Sequence, residues 1–176
     1  MDVTDAAEAV RAFLVPAASA LTIEQRVGNA CIWCPTVILP GQGVSLGDAD
    51  GCYPHACPPC HELQGAALAA YLDWDHHVTD CTLCRTGPCE TTLTMKHEAM
   101  RARERAGWGA AYCGRCQRAF GPGETFMPHV WLGTSRVVLS LVHTGPCAVT
   151  DPGETGAQPF RTPGWRIQRT SLSRGV

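Results

Sequence analysis

The sequence predicts a small α+β protein stapled together by bound metal, and three observations carry that prediction. The 176 residues include eleven cysteines. Eight of them form Cys-x2-Cys pairs, at Cys31 and Cys34, Cys57 and Cys60, Cys81 and Cys84, and Cys113 and Cys116. A two-residue gap lets one tight turn aim two thiolates at a single ion, whereas a disulfide across it is strained. The second observation is that 18 glycines and 13 prolines break the chain into short apolar runs. A core built from such runs is thin, and small modules of this kind need a staple. The third is that the ligands close in fours. Cys31, Cys34, Cys57 and Cys60 form one set; Cys81, Cys84 and Cys89 with His77 or His76 a second; Cys113, Cys116, Cys147 and His143 a third. Three zinc ions are therefore the expected cofactors. Each supplies about 10 to 16 kcal/mol of apparent binding free energy realised on folding, so the metal-free chain is expected to be largely unfolded or loosely collapsed. Cys52 is left over, either as a replacement within the first set or as a small buried residue.

The elements follow in chain order. Asp5 and Glu8 have capping-box spacing, and Val10, Phe13 and Leu14 continue at helical spacing until Pro16, which predicts an N-terminal helix. Leu21 to Val27 reads as a strand leading to the first cysteine pair. Residues 36–39 and 44–46, around Gly41 and Gly43, read as a β-hairpin. Cys57-Pro58-Pro59-Cys60 opens onto a helix over His61 to Trp74, with Leu63, Ala67, Leu68, Tyr71 and Leu72 as its apolar stripe. The prolines fit a helix start, where an amide donor is not needed. His76 to Cys89 forms a tight clasp whose short loop closes at little entropic cost. A second helix, Thr91 to Ala106, carries Lys96, Arg101, Arg103 and Arg105, while Leu93 and Met100 offer only a narrow apolar face. Gly107-Trp108-Gly109 ends it. Thr125 to Leu132 and Arg136 to Val142, about a turn at Gly133, form a second hairpin. His129 on its first strand is an alternative to His143 as a ligand. From Asp151 the composition is that of a basic tail, with Arg161, Arg166, Arg169 and Arg174 interleaved with Phe160 and Trp165. The expected organisation is an N-terminal helix and first zinc module over 1–75, a zinc clasp and basic helix over 76–110, a hairpin zinc module over 111–150, and a flexible tail over 151–176.

Several of these patterns resemble known families. A cysteine knuckle, a hairpin and a helix whose first turn donates the last two ligands resembles a treble-clef finger over Cys31 to Trp74. The Cys113-x2-Cys116-x3-Phe120-x2-Gly123-Glu124 run resembles a treble-clef or LIM-like knuckle, while Pro146 and Pro152 leave little helix after Cys147 and favour a zinc-ribbon-like module. Cys52, Cys81, Cys84 and Cys89, followed by Gly107-Trp108-Gly109, are similar to the WhiB-like iron-sulfur regulators of actinobacteria, a resemblance that implies thiolate ligation of a cluster and a transcription-linked redox sensor. Asp75-His76-His77 resembles the Asp-His of HNH nucleases, which implies divalent-dependent cleavage of nucleic acid. With Lys96 the only lysine among abundant Ala, Gly, Pro and Arg, the composition resembles that of actinobacterial or actinophage proteins.

Filled coordination spheres argue against an enzyme, since a catalytic zinc keeps a position open for water. No histidine is followed two places later by glutamate, as nucleobase deaminases require, and neither His61-Glu62 nor His97-Glu98 completes a His-Glu-x2-His motif. No apolar leader with a cleavage pattern occurs in residues 1–20 and no run reaches the 18 to 20 or so apolar residues of a membrane span, so a cytoplasmic protein without membrane attachment is expected. Charge is segregated: residues 1–90 carry eleven acids against three arginines, and residues 91–176 five acids against eleven lysines and arginines. A polyanion should meet the second half. The expected function is non-catalytic nucleic-acid binding with a role in regulation, through Lys96, Arg101, Arg103, Arg105, Arg166 and Arg169. The alternative is a zinc-stapled adaptor whose acidic half contacts a basic protein partner.

Overall fold

The computed structural model describes residues 3–132 and 137–147, and they form a small mixed helix and strand fold. Helix α1 spans Val3–Leu14. Because it is already running at Val3, Asp5 and Glu8 lie inside it and do not open it as the spacing predicted. The expected strand at 21–27 is also corrected. Thr22 Oγ1 accepts from the Gln25 amide at 3.3 Å and Gln25 Oε1 accepts from the Thr22 amide at 3.0 Å. This reciprocal capping box satisfies two amides locally and opens the short helix α2, Ile23–Arg26. Gln25 then donates from Nε2 to the Cys31 carbonyl at 3.0 Å, tying α2 to the first cysteine knuckle.

The first hairpin is paired differently from the sequence reading. Strand β1, Val44–Ser45, runs antiparallel to β2, His55–Ala56, with Val44 opposite Ala56. Residues 36–39 turn back instead on the segment before Cys31, through a bridge from Ala30 to Val37 and a bond from the Ile38 amide to the Asn29 carbonyl at 2.8 Å. Gly43 leaves room for this crossing, since a Cβ there would sit 2.7 Å from Ile38. Helix α3 is Pro58–Asp80, six residues beyond the expected Trp74, with the two prolines in its first turn. Its buried face is Gln64, Ala67, Leu68, Tyr71 and Trp74, while Leu63 is exposed. A 3-10 turn, Leu83–Arg85, leads to α4, Glu90–Arg105. Leu93 is likewise exposed, and α4 packs through Thr92, Ala99 and Ala102, small side chains that let the two helices approach closely. Strands β3, Phe126–Leu132, and β4, Val137–His143, pair antiparallel from Phe126 opposite His143 to Leu132 opposite Val137. The expected turn at Gly133 and the tail from Asp151 lie outside the described residues.

One core cluster joins all three cysteine-bearing segments: Val10, Leu14, Cys31, Ile32, Leu46, Leu68, Tyr71, Trp74, Trp108 and Leu141 all belong to it. At its centre Tyr71 and Trp74 meet edge to face with centroids 6.4 Å apart, Trp74 meets Phe126 at 6.3 Å, and Phe126 stacks on Phe120 at 4.4 Å. Gln64 and Trp108 link the α3–α4 pair through buried polar groups. Trp108 Nε1 donates to Gln64 Oε1 at 2.6 Å and Gln64 Nε2 donates to the Ala106 carbonyl at 2.8 Å. The Tyr71 hydroxyl enters the β3–β4 ladder, accepting from the His129 amide at 3.0 Å and donating to the Ser140 carbonyl. It thereby pins the second hairpin to α3. Tyr71→Phe strands both backbone groups, and denaturant unfolding of the metal-loaded protein should show a loss of about 1 to 3 kcal/mol, against little change for exposed Tyr53→Phe.

Candidate metal centres

Three groups of four side chains converge, each with its ligand atoms within 4.8 Å of one another: Cys31, Cys34, Cys57 and Cys60; His77, Cys81, Cys84 and Cys89; Cys113, Cys116, His143 and Cys147. The separations carry chemical information. Cys34 and Cys57 sulfurs lie 3.7 Å apart, Cys84 and Cys89 3.6 Å, and Cys113 and Cys147 3.6 Å. A disulfide would bring such atoms to about 2.05 Å, and all eleven thiols are free. A tetrahedron with metal–sulfur bonds of about 2.3 Å has sulfur–sulfur edges of about 3.8 Å, and one with a nitrogen ligand at about 2.0 Å has sulfur–nitrogen edges of about 3.5 Å. At the third site the imidazole distances agree with the second figure: His143 Nδ1 stands 3.6 Å from Cys116 Sγ and 3.5 Å from Cys147 Sγ. The donor sets thus fit a tetrahedral, thiolate-preferring ion.

The first site is built by two knuckles. Cys31 is wholly buried, with its amide bonded to the Thr36 carbonyl at 2.9 Å, and the second pair comes from the start of α3, where Cys57 is the N-cap and Cys60 stands in the first turn. Burial pushes the Cys31 thiol up. It opposes ionisation at Cys34 too, but the Thr36 hydroxyl, 3.2 Å away, and amide outweigh it and bring that thiol to about 7. Burial and the adjacent Cys57 and Cys34 push Cys60 far above the ordinary thiol range. Without a cation, four sulfurs held this close cannot all ionise.

The second site closes the turn between α3 and α4. His77 lies in the last turn of α3, Cys81 is its C-cap, and Cys89 is the N-cap of α4. His77 Nε2 is 3.2 Å from Cys89 Sγ, whereas the neighbouring His76 faces solvent and pairs with Asp80 at 3.2 Å. The choice between the two histidines follows from α3 continuing to Asp80. On an unbroken helix, adjacent residues point about 100° apart, so only one can face the cysteines. Thr92 supports this site from one turn inside α4. Its amide donates to Cys89 Sγ at 3.4 Å and its hydroxyl lies 2.9 Å from Cys84 Sγ. That amide, with His77, lowers Cys89 to about 6.

The third site joins the knuckle at Cys113 and Cys116 to the end of β4. Cys113 is wholly buried. Burial opposes its ionisation, but the backbone amides of Cys116, His143 and Arg115 hold it down to about 6, while desolvation and the nearby Cys113 sulfur push Cys147 to about 11. His143 turns Nε2 to Glu124 Oε2 at 3.2 Å, which fixes the proton on that nitrogen and leaves the Nδ1 lone pair facing the cysteines. Glu124 is held in turn by the Gly121 amide at 2.7 Å and Arg118 at 2.8 Å. His129, opposite Ser140 and three rows along the ladder, is exposed and stands apart from the site.

The remaining site residues divide. Lys96 Nζ sits 3.8 Å over the Phe126 ring. Arg103 donates to the Trp108 and Ala110 carbonyls at 3.1 and 3.3 Å, and burial lowers its pKa. Both cations serve the fold, which leaves Arg101 and Arg105 as the exposed bases of α4, alongside exposed Glu98 and Glu104. Arg166 and Arg169 lie outside the described residues. Cys52, paired with Ala49 in a loop turn, belongs to none of the three groups, and the fourth ligand beside Cys81, Cys84 and Cys89 is His77. Sequence reasoning missed Thr92 and Glu124 as supports. Thr92 was open to N-cap logic, standing three residues after Cys89 at a helix start; Glu124 had no such signal. No protein-family model, curated protein or solved structure matches this chain.

Two predictions separate ligands from neighbours. His77→Ala should cost one bound ion per chain by elemental analysis, and His76→Ala none. Glu124→Ala should weaken metal binding at the third site by about 10- to 100-fold in competition with a chelator, with Glu124→Gln retaining most of the affinity.

Proposed function

We propose that this chain is a non-catalytic zinc protein whose three ions hold up a protein-interaction surface. The observation that carries the reading is the closure of all three donor sets. Four protein donors gathered within 4.8 Å of one another would fill a tetrahedral ion's sphere and leave no vertex for water or substrate, as in a structural and not a catalytic site. Zinc suits these sets because it accepts sulfur and nitrogen in a tetrahedron without geometric preference of its own. A first site anchored on buried Cys31 and ending in the first turn of α3, behind a short hairpin, supports a treble-clef assignment for that segment. A knuckle closed by the end of a two-stranded hairpin supports a ribbon-like assignment for the third.

Protein partners are favoured by what the zinc modules expose. Ile23, Val27, Val37, Leu39 and Tyr53 all stand more than half exposed in the segment around the first site, and Ile23 reaches 75%. Exposed apolar side chains that gather into one patch are the kind of surface a protein partner covers. Helix α3 carries Glu62, Asp73, Asp75 and Asp80 and no lysine or arginine, which suits a basic partner. Nucleic-acid binding is the second reading, carried by Arg101 and Arg105 on the exposed side of α4. It is weakened by the internal use of Lys96 and Arg103.

Protein purified without oxygen should contain about three zinc ions per chain; iron with sulfide would replace zinc by the iron-sulfur reading at the second site. A random duplex should bind weakly or not at all at physiological salt. Binding that falls steeply with salt and loses part of that slope in Arg101→Ala/Arg105→Ala would instead establish the nucleic-acid reading.

A further inference from the structure

The three centres are not equivalent. Cys31 anchors the first and Cys113 the third at 0% exposure, whereas every cysteine of the second is partly open to solvent. The second also borders an open cavity of about 610 Å³ whose walls include its own ligands His77 and Cys81, with Asp73, Asp80, Leu83 and Met95. A small solute can therefore approach this centre from the side. Two of its sulfurs, Cys84 and Cys89, lie 3.6 Å apart with four residues between them, a spacing that can close to a disulfide with less strain than Cys81 and Cys84. The Thr92 amide donates to Cys89 Sγ at 3.4 Å and its hydroxyl stands 2.9 Å from Cys84 Sγ, so one residue of α4 lies against both sulfurs.

The surroundings would survive loss of this centre. Helices α3 and α4 form a hairpin whose turn is the second site, and the opposite end is fastened separately by Gln64, Ala106 and Trp108 at 2.6 and 2.8 Å. Tyr71, Trp74, Ala99 and Ala102 fill the space between. Opening the turn leaves these contacts in place.

From these observations we infer that the second centre is an oxidation site, at which hydrogen peroxide converts Cys84 and Cys89 to a disulfide and the ion leaves. The inference rests on the zinc reading for the identity of the ion. One thiolate sulfur attacks the peroxide O–O bond, forming a sulfenic acid and expelling hydroxide. The other thiolate attacks that sulfur, the S–S bond forms, and a second hydroxide departs. Two protons from solvent turn both hydroxides to water. The two sulfurs lose two electrons and the two peroxide oxygens gain them. With two of four donors consumed, His77 and Cys81 cannot retain the ion, and the turn at 81–89 is released.

The test is one equivalent of hydrogen peroxide per chain added to the zinc-loaded protein, with a chromogenic chelator present, followed by alkylation and peptide mapping. One zinc of three should leave, the mapped disulfide should be Cys84–Cys89, and far-UV circular dichroism should change little. The Cys84→Ser/Cys89→Ser variant should hold two zinc ions and release neither under the same treatment. The inference is overturned if the first zinc leaves with oxidation within the Cys31–Cys60 or Cys113–Cys147 sets, or if all three leave together with loss of helix signal. A protein that carries no zinc at all overturns the zinc reading alone, and the disulfide map on that protein still decides this inference.

Discussion

Mutual repulsion among clustered thiolates is the constraint on which this fold depends. Ten cysteines and two histidines are gathered into three groups of four, with ligand atoms no more than 4.8 Å apart. Gathering four such atoms is costly unless a cation sits among them, and at Cys60 the neighbouring Cys57 and Cys34 add to burial in pushing the thiol far above its ordinary range. A divalent ion removes it and converts ligand binding into folding free energy. The short strands β1 and β2 and the four-residue helix α2 are too small to persist alone, and they are held because the knuckles they flank are held.

Helix α3 transmits that constraint through the molecule. Its first turn supplies Cys57 and Cys60, its last turn supplies His77, its C-cap is Cys81, and midway along it Tyr71 fastens the hairpin that carries His143. Each centre therefore sits against an element shared with another, and one core cluster joins them. The second centre is the exception in its accessibility, for it closes a helix turn and not a core. The other two each keep one cysteine, Cys31 or Cys113, wholly buried.

Much of the site was legible because metal ligation has rigid spacing rules. Four Cys-x2-Cys pairs with Cys89, Cys147, His143 and either His76 or His77 can be grouped in fours from the chain alone; the structure brings these groups together and takes His77 for the second. Pro58 and Pro59 marked the start of α3, and Gly107, at φ 71°, marked the end of α4. Legibility failed where short-range chemistry competes with hydropathy. Residues 21–27 look like a strand by their apolar content, yet the Thr22–Gln25 box makes a helix. Residues 36–39 and 44–46 look like hairpin partners, but the knuckle captures the first and β2 the second. On α4 a different limit applies: sequence spacing locates Lys96 and Arg103 on the helix but cannot show that Lys96 lies over Phe126 and Arg103 bonds the Trp108 carbonyl.

Closed tetrahedral coordination as the source of the fold is tested most directly by titrating the metal-free, reduced protein with cobalt(II), which reports geometry and donor type while circular dichroism reports folding. Intense tetrahedral ligand-field bands and sulfur-to-cobalt charge transfer should rise together to saturation at three equivalents, with helix signal appearing in step. Weak octahedral bands, saturation below three equivalents, or full helix signal before any cobalt is added would contradict it.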